Sequence, residues 1–125
     1  MPRFVILHHE LPAGSARASH WDFMLEFDGV LRTWALPQEP APGRQQVAET
    51  LADHRLEYLT YEGPISNKRG RVTQWDAGAF AVVEETDGLL RVELDGGRAP
   101  SEVTLTRTPD SAQRWIVAFA ASNTL

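Results

Sequence analysis

The segment HWDFMLEF, residues 20–27, is followed by Asp28-Gly29 and then by VLRTWALP, residues 30–37. Apolar residues alternate along both arms, the period a β-strand imposes and a helix does not. Trp21, Phe23, Leu25 and Phe27 share one face, while His20, Asp22, Met24 and Glu26 share the other. Asp-Gly between two such runs is a strong hairpin signal. A two-residue turn sets Phe27 opposite Val30, Phe23 opposite Trp34 and Trp21 opposite Leu36, giving a continuous apolar face broken only by Arg32. The chain is therefore committed to antiparallel sheet with one face in a core.

Strand signals recur at short spacing: RFVILHH, QQVAETL, RVTQW, AFAVVEET, LLRVELD, EVTLTRT and RWIVAFA, with Asp87-Gly88 marking a second hairpin. ADHRLEYL reads as a helical turn after a strand, and Trp75 in WDAG reads as a core residue followed by a turn. About eight short strands with little helix predict a mainly β fold, a small closed or nearly closed antiparallel barrel. At 125 residues the chain is long enough for one core and is read as a single domain, 1–125. The apolar run in MPRFVILHHE spans four residues, too short for a leader or a membrane span, so a cytoplasmic protein without membrane contact is expected.

There is no cysteine, which removes thiolate chemistry and leaves metal binding to His, Asp and Glu. A net charge of −5 argues against coating nucleic acid by charge alone. It leaves room for a local basic groove, and all basic residues but Lys68 are arginines, suited to bidentate phosphate contacts. All four histidines, His8, His9, His20 and His54, fall in the first half. His20 and Asp22, two apart on a strand, project from one face and can converge on one ion if a third donor meets them. Without that donor the pair is an ordinary polar strand face. His8 and His9 point to opposite faces of the preceding strand, so one of them is available in either register. His54 and Tyr58 share a face if their segment is helical. In NKRGR, Lys68, Arg69 and Arg71 form either a solvated turn or a phosphate cradle.

Taken together, FVILHHE, HWDFMLEFDGVLRTWALP, ADHRLEY, YEG and WDAG resemble the 3′-phosphoesterase domain of bacterial DNA ligase D, a family that also includes stand-alone homologues. The resemblance covers about residues 3 to 80. It implies a small β-barrel that binds Mn²⁺ or another divalent metal through His9, His20 and Asp22. His54 and Tyr58 then match active-site residues, His54 contacting phosphate. The implied activity is removal of phosphate or a ribonucleotide from nucleic-acid 3′ ends; a DNA ligase or polymerase acting in trans and a monomeric state are expected alongside it. Three features depart from the family pattern. Met24 stands where the family has an arginine; a second family arginine aligns with Gln46, near Arg44; and the loops after the first histidine ligand and after YEG differ in length. Arg44, Arg69 and Arg71 are the candidates to supply the missing phosphate contact. Two other readings stay open: a module that binds DNA ends or a repair partner without catalysis, and a non-haem Fe(II) oxygenase-like barrel, whose ligand spacing is the same.

Overall fold

The computed structural model describes residues 1–66 and 68–121. Its strands are β1 (Arg3–Glu10), β2 (His20–Phe27), β3 (Val30–Leu36), β4 (Gln45–His54), β5 (Gly63–Pro64), β6 (Arg71–Thr86), β7 (Leu89–Asp95), β8 (Glu102–Arg107) and β9 (Arg114–Phe119). A 3₁₀ turn, Leu56–Leu59, follows β4. The sheet runs β1-β2-β3-β4-β9-β8-β7-β6 and closes through β1 against β6, an eight-stranded antiparallel barrel with β5 appended to β6.

The β2–β3 hairpin has the register its alternation dictates, Phe27 opposite Val30, Phe23 opposite Trp34 and Trp21 opposite Leu36. Asp28 and Gly29 both take positive φ, +51° and +81°, as a type I′ turn requires. Arg32, the break in the apolar face, lays its guanidinium over the rings of Phe27 and Trp34 at 5.2 and 5.1 Å. It thereby covers the core edge as a cation on aromatic faces.

Every barrel strand sends residues inward. Phe4, Ile6, Phe23, Leu25, Trp34, Leu36, Ala48, Phe80, Val92, Leu105 and Val117 fill the interior. A second, smaller cluster lies on the outer wall, where Val5, Leu7, Met24, Leu31 and Val72 are covered by Leu59 of the 3₁₀ turn. Both faces of β2 are consequently apolar and buried along its middle.

One expectation is corrected. RVTQW and AFAVVEET are not separate strands joined by a turn at WDAG, but one bent strand, β6. Its first half pairs with β1 and its second half with β7, and Trp75 is the extra residue where the β1 register shifts between Gln74 and Asp76. The bend needs Gly78, because a Cβ there would lie 2.2 Å from the Asp95 carbonyl oxygen. Asp76 accepts backbone N–H bonds from Ala77, Arg98 and Ala99, which ties the β7–β8 loop to the bulge.

Phe23→Ala should lower unfolding free energy by about 3–5 kcal/mol in urea titration, as a large truncation in a sealed core. A loss under 1 kcal/mol would show that the β2 face is not packed as described.

Candidate metal centre and groove

β1 and β2 place the first donors by register. His9 stands opposite His20 and Leu7 opposite Asp22, so the three polar side chains meet on the outer wall next to the smaller apolar cluster. One donor atom from each of His9, His20 and Asp22 lies within 4.8 Å of the others. His8 faces the other way and stacks on Trp21, ring centroids 4.5 Å apart. Strand parity thus brings His9, and not His8, to the side of Asp22.

The proton positions in the trio follow from its partners. His9 Nε2 is 2.7 Å from the Arg69 carbonyl, and His20 Nδ1 is 2.9 Å from the Ala18 carbonyl. A carbonyl only accepts, so each of these nitrogens carries the hydrogen and the other ring nitrogen turns a lone pair inward. His9 Nδ1 then faces Asp22 Oδ2 at 3.3 Å, and His20 Nε2 faces Asp22 Oδ1 at 3.0 Å. His20 Nε2 and Asp22 Oδ1 are buried and make no hydrogen bond despite their proximity. Lone pairs converging on a carboxylate need a cation between them, a proton or a metal ion. The donor set, with each imidazole anchored through its second nitrogen, fits a divalent ion and leaves coordination positions open.

Electrostatics say the same of the metal-free protein. The Asp22 carboxylate, which accepts from His9 Nδ1 when that nitrogen is protonated, raises the His9 pKa above its ordinary value, against the opposing effect of burial. Burial pushes the Asp22 carboxyl up, but the imidazoles of His20 and His9 together outweigh it and hold it at about 2. The Asp22 contribution to stability is present above its unfolded pKa and lost as pH falls toward 2. The His9 contribution is present below its unfolded pKa and lost as pH rises past its folded value.

Beside the trio a groove of about 420 Å³ runs along the wall. Leu7, Met24, Leu51, Ile65 and Val72 make its apolar floor, and His9, Asp22, Arg17, His54, Tyr58 and Arg69 supply its polar groups. His54 and Tyr58 meet without a shared helix. His54 ends β4 and Tyr58 sits on the 3₁₀ turn, their rings edge to face at 5.3 Å. A register shift between Leu31 and Thr33 sets Leu31 opposite His54 and Thr33 opposite Leu51. The Thr33 hydroxyl donates to the Leu31 carbonyl at 3.0 Å, so it accepts from His54 Nδ1, also at 3.0 Å. The Ala52 carbonyl shares that hydrogen at 2.9 Å, which leaves His54 Nε2 as the free ring nitrogen.

The arginines sort differently from the sequence expectation. Arg69 lines the groove, its guanidinium steadied by the Ser66 carbonyl and hydroxyl, while its own carbonyl anchors His9. Arg44 does not reach the groove; it bonds the Glu39 carbonyl. Gln46 is buried and bridges the Gln38 backbone. Arg71 is exposed, opposite Glu10 and Pro64, and does not line the groove. Arg17, which no motif singled out, does line it. Its loop, residues 11–19, has no periodicity from which its position could be read. Met24 is buried in the groove floor and belongs to the apolar cluster beneath it that includes Val5 and Leu31.

Fold and centre define an eight-stranded barrel carrying an outward His–His–Asp site at the head of an arginine-bearing groove. Sequence comparison agrees: residues 13–107 match the family described as the DNA Ligase D 3′-phosphoesterase domain, and the chain belongs to that family. The multifunctional non-homologous end joining DNA repair protein LigD of Mycobacterium tuberculosis is 38% identical over 123 residues, 90% of this chain and 15% of the relative. The LigD proteins of Pseudomonas aeruginosa and Mycolicibacterium smegmatis are 33% and 31% identical over 85% and 91% of this chain. The chain thus spans about 13–16% of the length of these relatives. Among the described residues no helix is long and apolar enough to cross a membrane.

Two outcomes check the centre. His20→Ala should abolish Mn²⁺ binding in calorimetry while the circular dichroism of the barrel is retained; unchanged affinity would overturn the ligand assignment. Because the ion must displace the proton that Asp22 holds on His9, Mn²⁺ affinity should fall with pH once His9 is protonated, by up to about tenfold per pH unit for one proton. The fall should be absent in His9→Gln, whatever residual affinity that variant keeps.

Proposed function

We propose that this protein is a metal-dependent phosphoesterase that removes phosphate or a ribonucleotide from nucleic-acid 3′ ends, with Mn²⁺ or a similar ion held by His9, His20 and Asp22. The observation that carries the reading is the convergence of three inward donor atoms at the head of a groove that also holds His54, Tyr58, Arg17 and Arg69. A bound divalent ion supplies Lewis acidity toward a phosphate oxygen and lowers the pKa of bound water. The chain's own groups do the rest. Arg69 and Arg17 offer guanidinium donors to the remaining phosphate oxygens, compensating for Met24 and leaving Arg44 and Arg71 without a role. His54, its Nδ1 hydrogen fixed by Thr33 and Ala52, presents Nε2 to the ligand as phosphate clamp or, when protonated, as donor to the leaving oxygen. Tyr58 packs against the His54 ring and limits its rotation.

The family and the names of the relatives support a place in non-homologous end joining. A 3′ end freed of its phosphate is what a DNA ligase or polymerase extends or seals, so either enzyme is the expected partner in trans.

The deciding experiment is release of phosphate from a 3′-phosphorylated oligonucleotide with and without Mn²⁺. Activity should require the ion, and Arg69→Ala and His54→Ala should each lower kcat/KM roughly 10²–10³-fold, the scale for loss of one preorganised donor. Thr33→Val should lower kcat, and Thr33→Ser should restore it, if the hydroxyl orients His54. Metal-dependent oligonucleotide binding with no turnover would make the protein a DNA-end binding module instead.

A further inference from the structure

The sequence Tyr61-Glu62-Gly63 is one of the strings that carry the family resemblance, yet the mechanism above gives it no task. In the structure it forms a braced shelf. The Tyr61 hydroxyl donates to the Pro64 carbonyl, folding the ring back over Gly63. Gly63 has φ +137°, and a Cβ there would come within 3.2 Å of that hydroxyl. The Glu62 carboxylate accepts the Gln74 N–H at 2.7 Å, fastening the shelf to β6. A ring this constrained is normally core, but Tyr61 is 36% exposed.

Its location suggests why. The rings of His54, Tyr58 and Tyr61 form a chain, edge to face at 5.3 and 5.8 Å, leading outward from the groove. Tyr61, Tyr58, Pro64, Ile65 and the Arg55–Glu57 ion pair line a hollow of about 250 Å³, and Tyr58 and Ile65 also line the larger groove. The two depressions therefore adjoin across Tyr58 and Ile65, one holding cationic side chains beside His9 and Asp22 and the other bordered by an exposed aromatic ring. That sequence of surfaces, phosphate site then flat apolar ring, is complementary to one nucleotide unit.

We propose that Tyr61 is a stacking platform for a nucleobase within the last two nucleotides of the strand whose 3′ phosphate occupies the groove. The inference rests on the phosphoesterase reading and adds to it a base-binding subsite indifferent to sequence, since every base offers a π-face. Stacking of this kind is worth roughly 1–3 kcal/mol per base, a five- to hundredfold change in affinity. Pinning the ring before the ligand arrives removes part of the ordering cost.

The test is fluorescence anisotropy of a labelled single-stranded oligonucleotide ending in a non-hydrolysable 3′-phosphonate, with the Mn²⁺-loaded full chain. Tyr61→Ala should weaken binding about five- to hundredfold, and Tyr61→Trp should restore it. An oligonucleotide abasic at its last two positions should bind wild type as weakly as the intact one binds Tyr61→Ala, and Tyr61→Ala should weaken it no further. Equal binding of intact and abasic oligonucleotides by wild type would overturn the platform while leaving the phosphoesterase reading standing. That comparison needs no variant, so it decides even if Tyr61→Ala loses Mn²⁺ affinity. Absence of any binding to either oligonucleotide, with Mn²⁺ still bound, would overturn both.

Discussion

Closure of the barrel depends on one strand. β1 pairs with β2 along one edge and with β6 along the other, so the sheet becomes a cylinder only when these eight residues find both neighbours. The same strand divides its side chains between two environments. Phe4 and Ile6 enter the interior, while Val5, Leu7 and His9 point to the outer wall. Register with β2 is thereby also alignment of the candidate donors His9, His20 and Asp22: a slip of one residue would turn His9 inward and bring His8 to Asp22. Fold and site share a single geometric determinant.

The outer wall explains how a small barrel supports a groove at all. A closed sheet normally shows water a polar exterior, but here the 3₁₀ turn and β5 cover the patch around Met24 and Val72. The covering leaves an apolar trench with cationic side chains along it. Burial of Asp22 at 3% and of His20 at 5% exposure follows, and it is burial that makes their unsatisfied atoms demand a cation.

Much of this could be read from the chain. The β2–β3 hairpin was legible to the residue because a period of two and an Asp-Gly turn leave a single register. The histidine–aspartate trio was legible because parity alone puts His20 and Asp22 together, although selecting His9 over His8 needed the family likeness. What stayed hidden depends on contacts remote in sequence. WDAG has the composition of a turn, but Asp76 is spent on the loop at Arg98 and Ala99 and the strand runs on. The His54 side chain reaches the groove through an irregularity between β3 and β4 that no local pattern announces. Arg17 and Arg44 are alike as residues; only the path of their loops separates the one in the groove from the one outside it.

The groups that orient the three histidines of the site have one feature in common. His9, His20 and His54 are held by the carbonyls of Arg69, Ala18 and Ala52, with Thr33 the one side chain among those partners. Backbone carbonyls belong to every residue type, so substitution at 18, 52 or 69 leaves the anchor in place. Thr33 apart, the groups that orient these imidazoles are thus encoded in chain length and path and not in residue identity. Side-chain scanning would pass over it, whereas inserting or deleting one residue in the loops around Ala18 or Arg69 would turn the imidazoles without touching a ligand.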